Sequence, residues 1–203
     1  MRSPRNIKIL LAYERSGSMY NSFKQLGFNV TSCDLSPAQS PGHNHIQAPV
    51  LSLDLGTYNF VMAFPPCTYL CKAQLWKCVP GTERYELQKK AIGEVKSLLS
   101  AGCQRLAIEN PAGCLPRHIG KYSQMVFPWY FGDPYSKEIC LWLRGMPKIV
   151  STNYSPGRKS ISNHVNGRMS QFEKSIIRSS WRYYPHMCDA IALQWGSFLC
   201  NQN

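Results

Sequence analysis

Acidic residues are scarce in this chain. Asp and Glu number 11 against 23 Lys and Arg in 203 residues, a formal charge of +12. That imbalance argues against an acidic, disordered tail and for a polyanionic partner, most simply nucleic acid. Long apolar runs are also missing. None reaches membrane-spanning length, so no membrane role is expected. The opening Met-Arg-Ser-Pro-Arg-Asn is followed by too short an apolar run and no small-residue cleavage site, so the expected location is the cytoplasm. A disulfide frame is missing too. The nine cysteines are odd in number and scattered, the pattern of reduced thiols. Zinc-like spacing is absent: Cys67, Cys71 and Cys78 have no second Cys-x-x-Cys and no nearby histidine, and His43 and His45 have no cysteine partner, so no metal is expected. Low-complexity segments and internal repeats do not occur.

What is present is a hydrophobic fraction of 44%, enough for one folded domain with a full core. Ile7 to Ala12 is an apolar run of strand length. A turn follows, Glu14-Arg15-Ser16-Gly17-Ser18, and then a helix with Met19, Phe23 and Leu26 on one face and Gly27 as its stop. Phe28 to Cys33 reads as a second strand ending in Asp34. Strand, glycine turn, helix, strand and acid open a nucleotide-binding half-fold. The turn lets a ligand approach the backbone, and the acid can accept from ribose hydroxyls. Ser36 to Pro49 reads as a loop whose histidines are solvated or hydrogen-bonded.

Phe60 to Phe64 is a buried strand ended by Pro65 and Pro66, which cannot donate to a sheet ladder and which fix φ. Cys67 follows at once, a thiol on a stiff turn at a strand's carboxyl end, where open α/β sheets place their ligands. Glu83 to Leu99 is the clearest helix, with Leu87, Ala91, Val95, Leu98 and Leu99 toward the core. Gln104 to Ile108 is the next buried strand. It delivers Glu109-Asn110-Pro111, an acid on another proline-limited turn. Phe127 to Asp133 is aromatic and turn-like, Glu138 to Leu143 is a strand, and Met187 to Trp195 is a last helix. Between them the polar stretch from Tyr154 to Gln171 reads as a basic loop. Its Arg158, Lys159 and Arg168 are expected to meet nucleic-acid phosphates. The fold expected is a single α/β, Rossmann-like domain over residues 1–203, mainly parallel, with helices on both faces.

Four pieces stand in a recognisable order: the Ser16-Gly17 turn, Phe64-Pro65-Pro66-Cys67, Glu109-Asn110-Pro111 and Gln194-Trp195-Gly196. With Phe131-Gly132-Asp133-Pro134-Tyr135-Ser136-Lys137 and Leu141-Trp142-Leu143, the chain resembles the DNA (cytosine-5) methyltransferase superfamily. It is most similar to the short, phage-encoded proteins of that kind. The resemblance implies methylation of cytosine C5 in DNA with S-adenosylmethionine as donor, with RNA left open as a partner. Cys67 matches the nucleophile that adds at C6 and makes C5 able to attack the methyl sulfonium. Glu109 matches the carboxyl group that stabilises the intermediate at N3. Arg182, with Arg178 as the alternative, matches the family's arginine near the chain end, and a guanidinium beside Cys67 would lower its pKa. Glu14, Ser16, Gly17 and Asp34, with Pro65, Gln194 and Gly196, are the residues implied for the donor. Cys71 and Cys78 are expected to be dispensable.

The chain departs from the family in places. Only the middle glycine of Phe-x-Gly-x-Gly is kept, Gln47-Ala48-Pro49 stands where many members have Gln-Gly-Asp, and Ser197 replaces an Asn. The segment from Arg182 to Met187 leaves no room for a target-recognition domain. Two other readings therefore stay open: a catalytically degenerate relative that only binds nucleic acid, and a pyrimidine-modifying enzyme with another substrate or carbon donor.

Overall fold

The computed structural model describes residues 1–156 and 184–202. Its strands are β1 (Lys8–Ala12), β2 (Asn29–Asp34), β3 (His45–Gln47), β4 (Phe60–Ala63), β5 (Leu106–Asn110), β6 (Gln124–Val126) and β7 (Ile139–Arg144). They form one seven-stranded sheet in the order β3-β2-β1-β4-β5-β7-β6. Strands β3, β2, β1, β4 and β5 run parallel, and β7 is antiparallel to both β5 and β6. This is the α/β, mainly parallel architecture expected.

The central strands are apolar at almost every position because both faces are covered. The helices are α1 (Ser18–Gln25), α2 (Lys72–Leu75), α3 (Glu83–Ser100), α4 (Pro116–Ile119) and α5 (Pro185–Cys200). On one face Ile9, Leu11, Phe60 and Met62 meet Met19 and Phe23 of α1 and Met187, Ile191 and Trp195 of α5. On the other, Leu10, Val61, Leu106 and Ile108 meet Ile92, Val95 and Leu98 of α3. Trp195 has no exposed surface, its ring lies edge-on to Phe60 at 5.4 Å, and its indole N–H donates to Pro147 O at 3.0 Å. Its polar atom is therefore satisfied where burial is deepest.

The buried stripe of α3 is Gln88, Ile92, Val95 and Leu98, rotated from the expected face, so that Leu87, Ala91 and Leu99 are only half-buried. Gln88 is admitted because its amide donates to Tyr69 O at 2.8 Å. Strands β3 and β6 were not legible in the sequence. Each has three residues at or near a sheet edge, too few for a period of two to show. Among the described residues no helix is long and apolar enough to cross a membrane.

The chain steps from β1 to β2 on one side and later from β1's other neighbour β4 onward to β5. The carboxyl ends of β1 and β4 thus flank the point where strand order reverses, where open α/β sheets leave a crevice.

Candidate active site

Three neighbouring strand ends carry the chemistry. Ala12 pairs with Ala63, and Ala63 with Ile108. The residues just beyond these partners therefore emerge side by side: Glu14 after β1, the Pro65-Pro66-Cys67 turn after β4, and Glu109 at the end of β5.

The turn after β1 is tight. Tyr13 has φ 60° and Gly17 φ 85°, both left-handed. Glu14 is buried at 4% exposure, and its Oε1 accepts from Gly17 N at 2.7 Å and from Ser16 Oγ at 2.5 Å. Its Oε2 is buried and has no hydrogen-bond partner among the described residues. An unpartnered carboxylate oxygen is costly to bury. Asp34 closes β2 half-buried, with Oδ1 accepting from Ser36 N at 2.8 Å. The space over Gly17 is filled by protein: a Cβ there would run into the imidazole of His43, which also lies against Tyr20 with ring centroids 4.3 Å apart. Gly17 was expected to give a ligand room against the backbone; in this structure its left-handed φ and the imidazole of His43 are what call for a glycine. His45 is hydrogen-bonded, to Ser32 Oγ at 2.8 Å and Ser36 O at 3.0 Å.

The other two strand ends are clamped together. Asn110 is 1% exposed, and its Nδ2 donates to Pro65 O at 2.8 Å. One buried hydrogen bond thus fixes the Cys67 turn against the strand that carries Glu109. Pro65 is buried and its carbonyl is engaged by this bond, so it serves the clamp. Glu109 is 5% exposed, and Lys137 Nζ stands 3.8 Å from its Oε1. Lys137 also acts on the Cys67 sulfur, lowering its pKa by its charge. Tyr184 is buried next to this group, with its hydroxyl pKa raised by burial and then by the charge of Glu109, and its ring is 5.5 Å from Tyr135.

The Cys67 thiol is pushed up. The largest cause is its hydrogen bond to Cys71, followed by burial, with Lys137 opposing and Glu109 adding. The acidified sulfur is Cys71, lowered by the Cys67 hydrogen bond and by backbone N–H groups at the start of α2. The two thiols thus shift each other in opposite directions, Cys67 up and Cys71 down. Arg182 and Arg178, expected to place a guanidinium beside Cys67, lie outside the described residues. So do Arg158, Lys159 and Arg168.

Gln194 and Gly196 are not brought to the strand ends. Gln194 is spent on Val150, accepting from its N–H and donating to its carbonyl, both at 2.8 Å. A Cβ on Gly196 would lie 2.8 Å from the Phe28 ring, at the amino end of β2 and so at the opposite end of the strands. The helix α5 runs away from the site, from Met187 N bonded to Asp133 Oδ2 at 2.8 Å to Cys200 O bonded to Arg2 N at 2.7 Å. A groove lined by Leu26, Phe28, Leu193 and Gly196 lies at that far end too. Cys78 makes weak sulfur contacts to the carbonyls of Tyr69 and Gln74. Among the described residues no three His, Cys, Asp or Glu side chains gather as a metal site.

Sequence reasoning missed the places of Lys137 and Asn110 and the nearness of Cys71 to Cys67. Lys137 precedes β7, and because β7 is antiparallel to β5 it begins where β5 ends, with Asn110 opposite Cys140. Nothing in a single strand's composition reveals the direction of its partner. Asn110 was visible beside Glu109, but its target, Pro65 O, is 45 residues away.

No family model matches the chain, and no curated protein matches it. Solved structures do resemble it in fold. One is the Entamoeba histolytica methyltransferase EhMeth, at 14% identity and TM-score 0.44, over 81% of this chain and 61% of that one. Another is the S. pombe Dnmt2 methyltransferase, at 14% identity and TM-score 0.45, over 76% and 52%. A third is a mutant of Spodoptera frugiperda DNMT2, at 14% identity and TM-score 0.39, over 76% and 55%. The chain thus spans between about half and three fifths of the length of these structures.

Proposed function

We propose that the chain is an S-adenosylmethionine-dependent enzyme that methylates C5 of cytosine in DNA through a covalent Cys67 adduct. The observation that carries this reading is the clamp: Asn110 ties the Pro-Pro-Cys67 turn to the end of β5, so that a thiol and the Glu109 carboxyl group stand on neighbouring strand ends with the charge of Lys137 acting on both. A nucleophile and a proton-donating acid on two rigid neighbouring strand ends can engage two positions of one planar ring.

In this reading Cys67 adds to C6 of the base as it gives up its proton, and the neighbouring Cys71 sulfur, whose pKa is lowered, is the acceptor proposed for it. Electron density moves to N3, where Glu109 supplies a proton or a hydrogen bond. Lys137 then balances the charge left on Glu109, 3.8 Å away. The base must leave the duplex to reach such a crevice. The net charge of +12 favours a polyanion over a free nucleotide, with Arg158, Lys159 and Arg168 proposed as phosphate contacts.

The first turn fits the donor. The unpartnered Oε2 of Glu14 offers an acceptor to a hydroxyl or ammonium group, and Asp34 closes the neighbouring strand. S-adenosylmethionine, when bound, supplies an electrophilic methyl group. His43 must yield the space over Gly17 if the ligand is to lie against that backbone.

The test uses oligonucleotides carrying 5-fluorocytosine, whose fluorine blocks release of the enzyme after methyl transfer. Incubation with donor should give a covalent complex stable to denaturant with DNA, and Cys67→Ser should give none. Trapping on RNA but not DNA would move the substrate. Trapping on neither, or equal trapping by Cys67→Ser, would overturn the mechanism.

A further inference from the structure

The end of β1 breaks the alternation of its own strand. Ile9 and Leu11 lie in the core under α1 and α5, and Leu10 and Ala12 in the core under α3. A strand sends successive side chains to opposite faces, so Tyr13 belongs with Leu11 and Glu14 with Ala12. The structure has them the other way round. Tyr13 packs against the α3 core, and its hydroxyl donates to Glu94 Oε1 of α3 at 2.7 Å. Glu14 turns instead toward the start of α1, where its Oε1 accepts from Gly17 N at 2.7 Å.

One residue makes the exchange. Tyr13 has φ 60°, and among the described residues it alone is left-handed without being glycine. A large side chain seldom adopts that conformation, which persists only where the surroundings hold it. The backbone on each side is held by a neighbouring strand. Ala12 O accepts from Phe64 N at 2.9 Å, and Glu14 N donates to Cys33 O at 3.2 Å. The side chain is held by α3, through a bond between residues 81 positions apart. Burial and then Glu94 raise the Tyr13 hydroxyl pKa, so the group stays a donor to that carboxylate at neutral pH. A hydroxyl donating to a carboxylate makes a bond of the stronger, charge-assisted kind.

We propose that Tyr13 is a positioning residue: anchored to Glu94, it holds the backbone that aims the Glu14 carboxylate into the first turn. On the reading that Glu14 Oε2 receives S-adenosylmethionine, the link from Tyr13 to Glu94 sets the affinity for that donor. Neither Tyr13 nor Glu94 needs to touch the ligand. What they supply is preorganisation: a carboxylate already aimed loses less freedom when a hydroxyl or ammonium group meets it. Glu14 Oε2 is buried with no hydrogen-bond partner among the described residues, so it is already stripped of water before a ligand arrives.

The test reads the turn and the donor separately. In the full chain without ligand, hydrogen exchange by NMR follows the Gly17 amide that is bonded to Glu14. The amides of Leu10 and Leu11 in the central strand β1 report global opening beside it. Tyr13→Phe removes only the hydroxyl, and Glu94→Leu removes its acceptor. Each should speed Gly17 exchange relative to β1 by about threefold to tenfold, the worth of one hydrogen bond. Calorimetry should show S-adenosylmethionine binding weakened by a similar factor. Glu94→Gln keeps an oxygen that can accept and should return both readings most of the way. Gly17 exchange that stays as in the natural chain in both variants would overturn the proposal. So would equal acceleration of Gly17 and β1, the mark of a merely structural role. Faster Gly17 exchange with unchanged donor affinity would overturn the link to the donor. A natural chain that binds no S-adenosylmethionine would defeat the function reading, and the exchange rates would still decide whether Tyr13 positions Glu14.

Discussion

Replacing Asn110 by Asp changes one atom's character at the clamp and has a calculable consequence. The Nδ2 that donates to Pro65 O at 2.8 Å becomes an oxygen, so two acceptors face each other at a site only 1% exposed. The variant can restore the bond by carrying a proton on the new carboxyl group, whose O–H then donates to Pro65 O. Folding thus raises that carboxyl pKa above its unfolded value of about 3.9. The variant's stability is fully present below that value and is lost as pH rises. Each pH unit costs about 1.36 kcal/mol, so the loss at pH 7 is bounded near 4 kcal/mol. That is within the roughly 5–15 kcal/mol of an ordinary domain, so the variant should still fold. The control is Asn110→Ala. It leaves Pro65 O unsatisfied, at about 1–3 kcal/mol, and removes the Asn110 Oδ1 that has no partner in the folded protein, so its loss should be modest and flat with pH. Urea unfolding at several values between about pH 5 and pH 8 measures both. A gap between Asn110→Asp and the natural chain that does not widen with pH would refute the clamp as the structure has it. Both variants should also slow 5-fluorocytosine trapping, since the turn that aims Cys67 is no longer fixed.

Lys137→Met should lower the trapping rate by at least about tenfold, or 1.4 kcal/mol of barrier, because it removes the cation 3.8 Å from Glu109 that also favours the Cys67 thiolate. Lys137→Arg should recover part of it, and equal rates for all three would place the cation outside the chemistry. Two further substitutions separate the ends of the molecule. Glu14→Gln should weaken S-adenosylmethionine binding by about 1–3 kcal/mol in calorimetry through its altered Oε2. Gly196→Ala should lower thermal stability by overpacking Phe28 and leave donor affinity alone; a donor effect from Gly196→Ala would show that α5 reaches the ligand after all.

Much of the layout was legible in the residues. Continuous apolar runs such as Phe60 to Ala63 and Leu106 to Ile108 announce strands buried on both faces, and they are. Prolines end those runs for a local reason, so Cys67 and Glu109 could be placed at strand ends before any contact was known. The strand, glycine turn and helix at the start of the chain follow from short-range chemistry of the same kind.

What the residues could not determine was everything that depends on direction or distance between elements. The antiparallel course of β7 brings Lys137 to Glu109, and that course is a property of the assembled sheet. Gln194 and Gly196 read as part of a ligand site by their order in the chain, yet α5 spans the molecule and carries them to the far end. The opposite shifts of the Cys67 and Cys71 thiols come first from each other and then from the burial of one and the backbone donors offered to the other. His43 fills the space over Gly17 because the loop after β2 folds back across the first turn. A pKa and a vacancy are set by what surrounds a group in space, and the sequence by itself determines only what lies beside it along the chain.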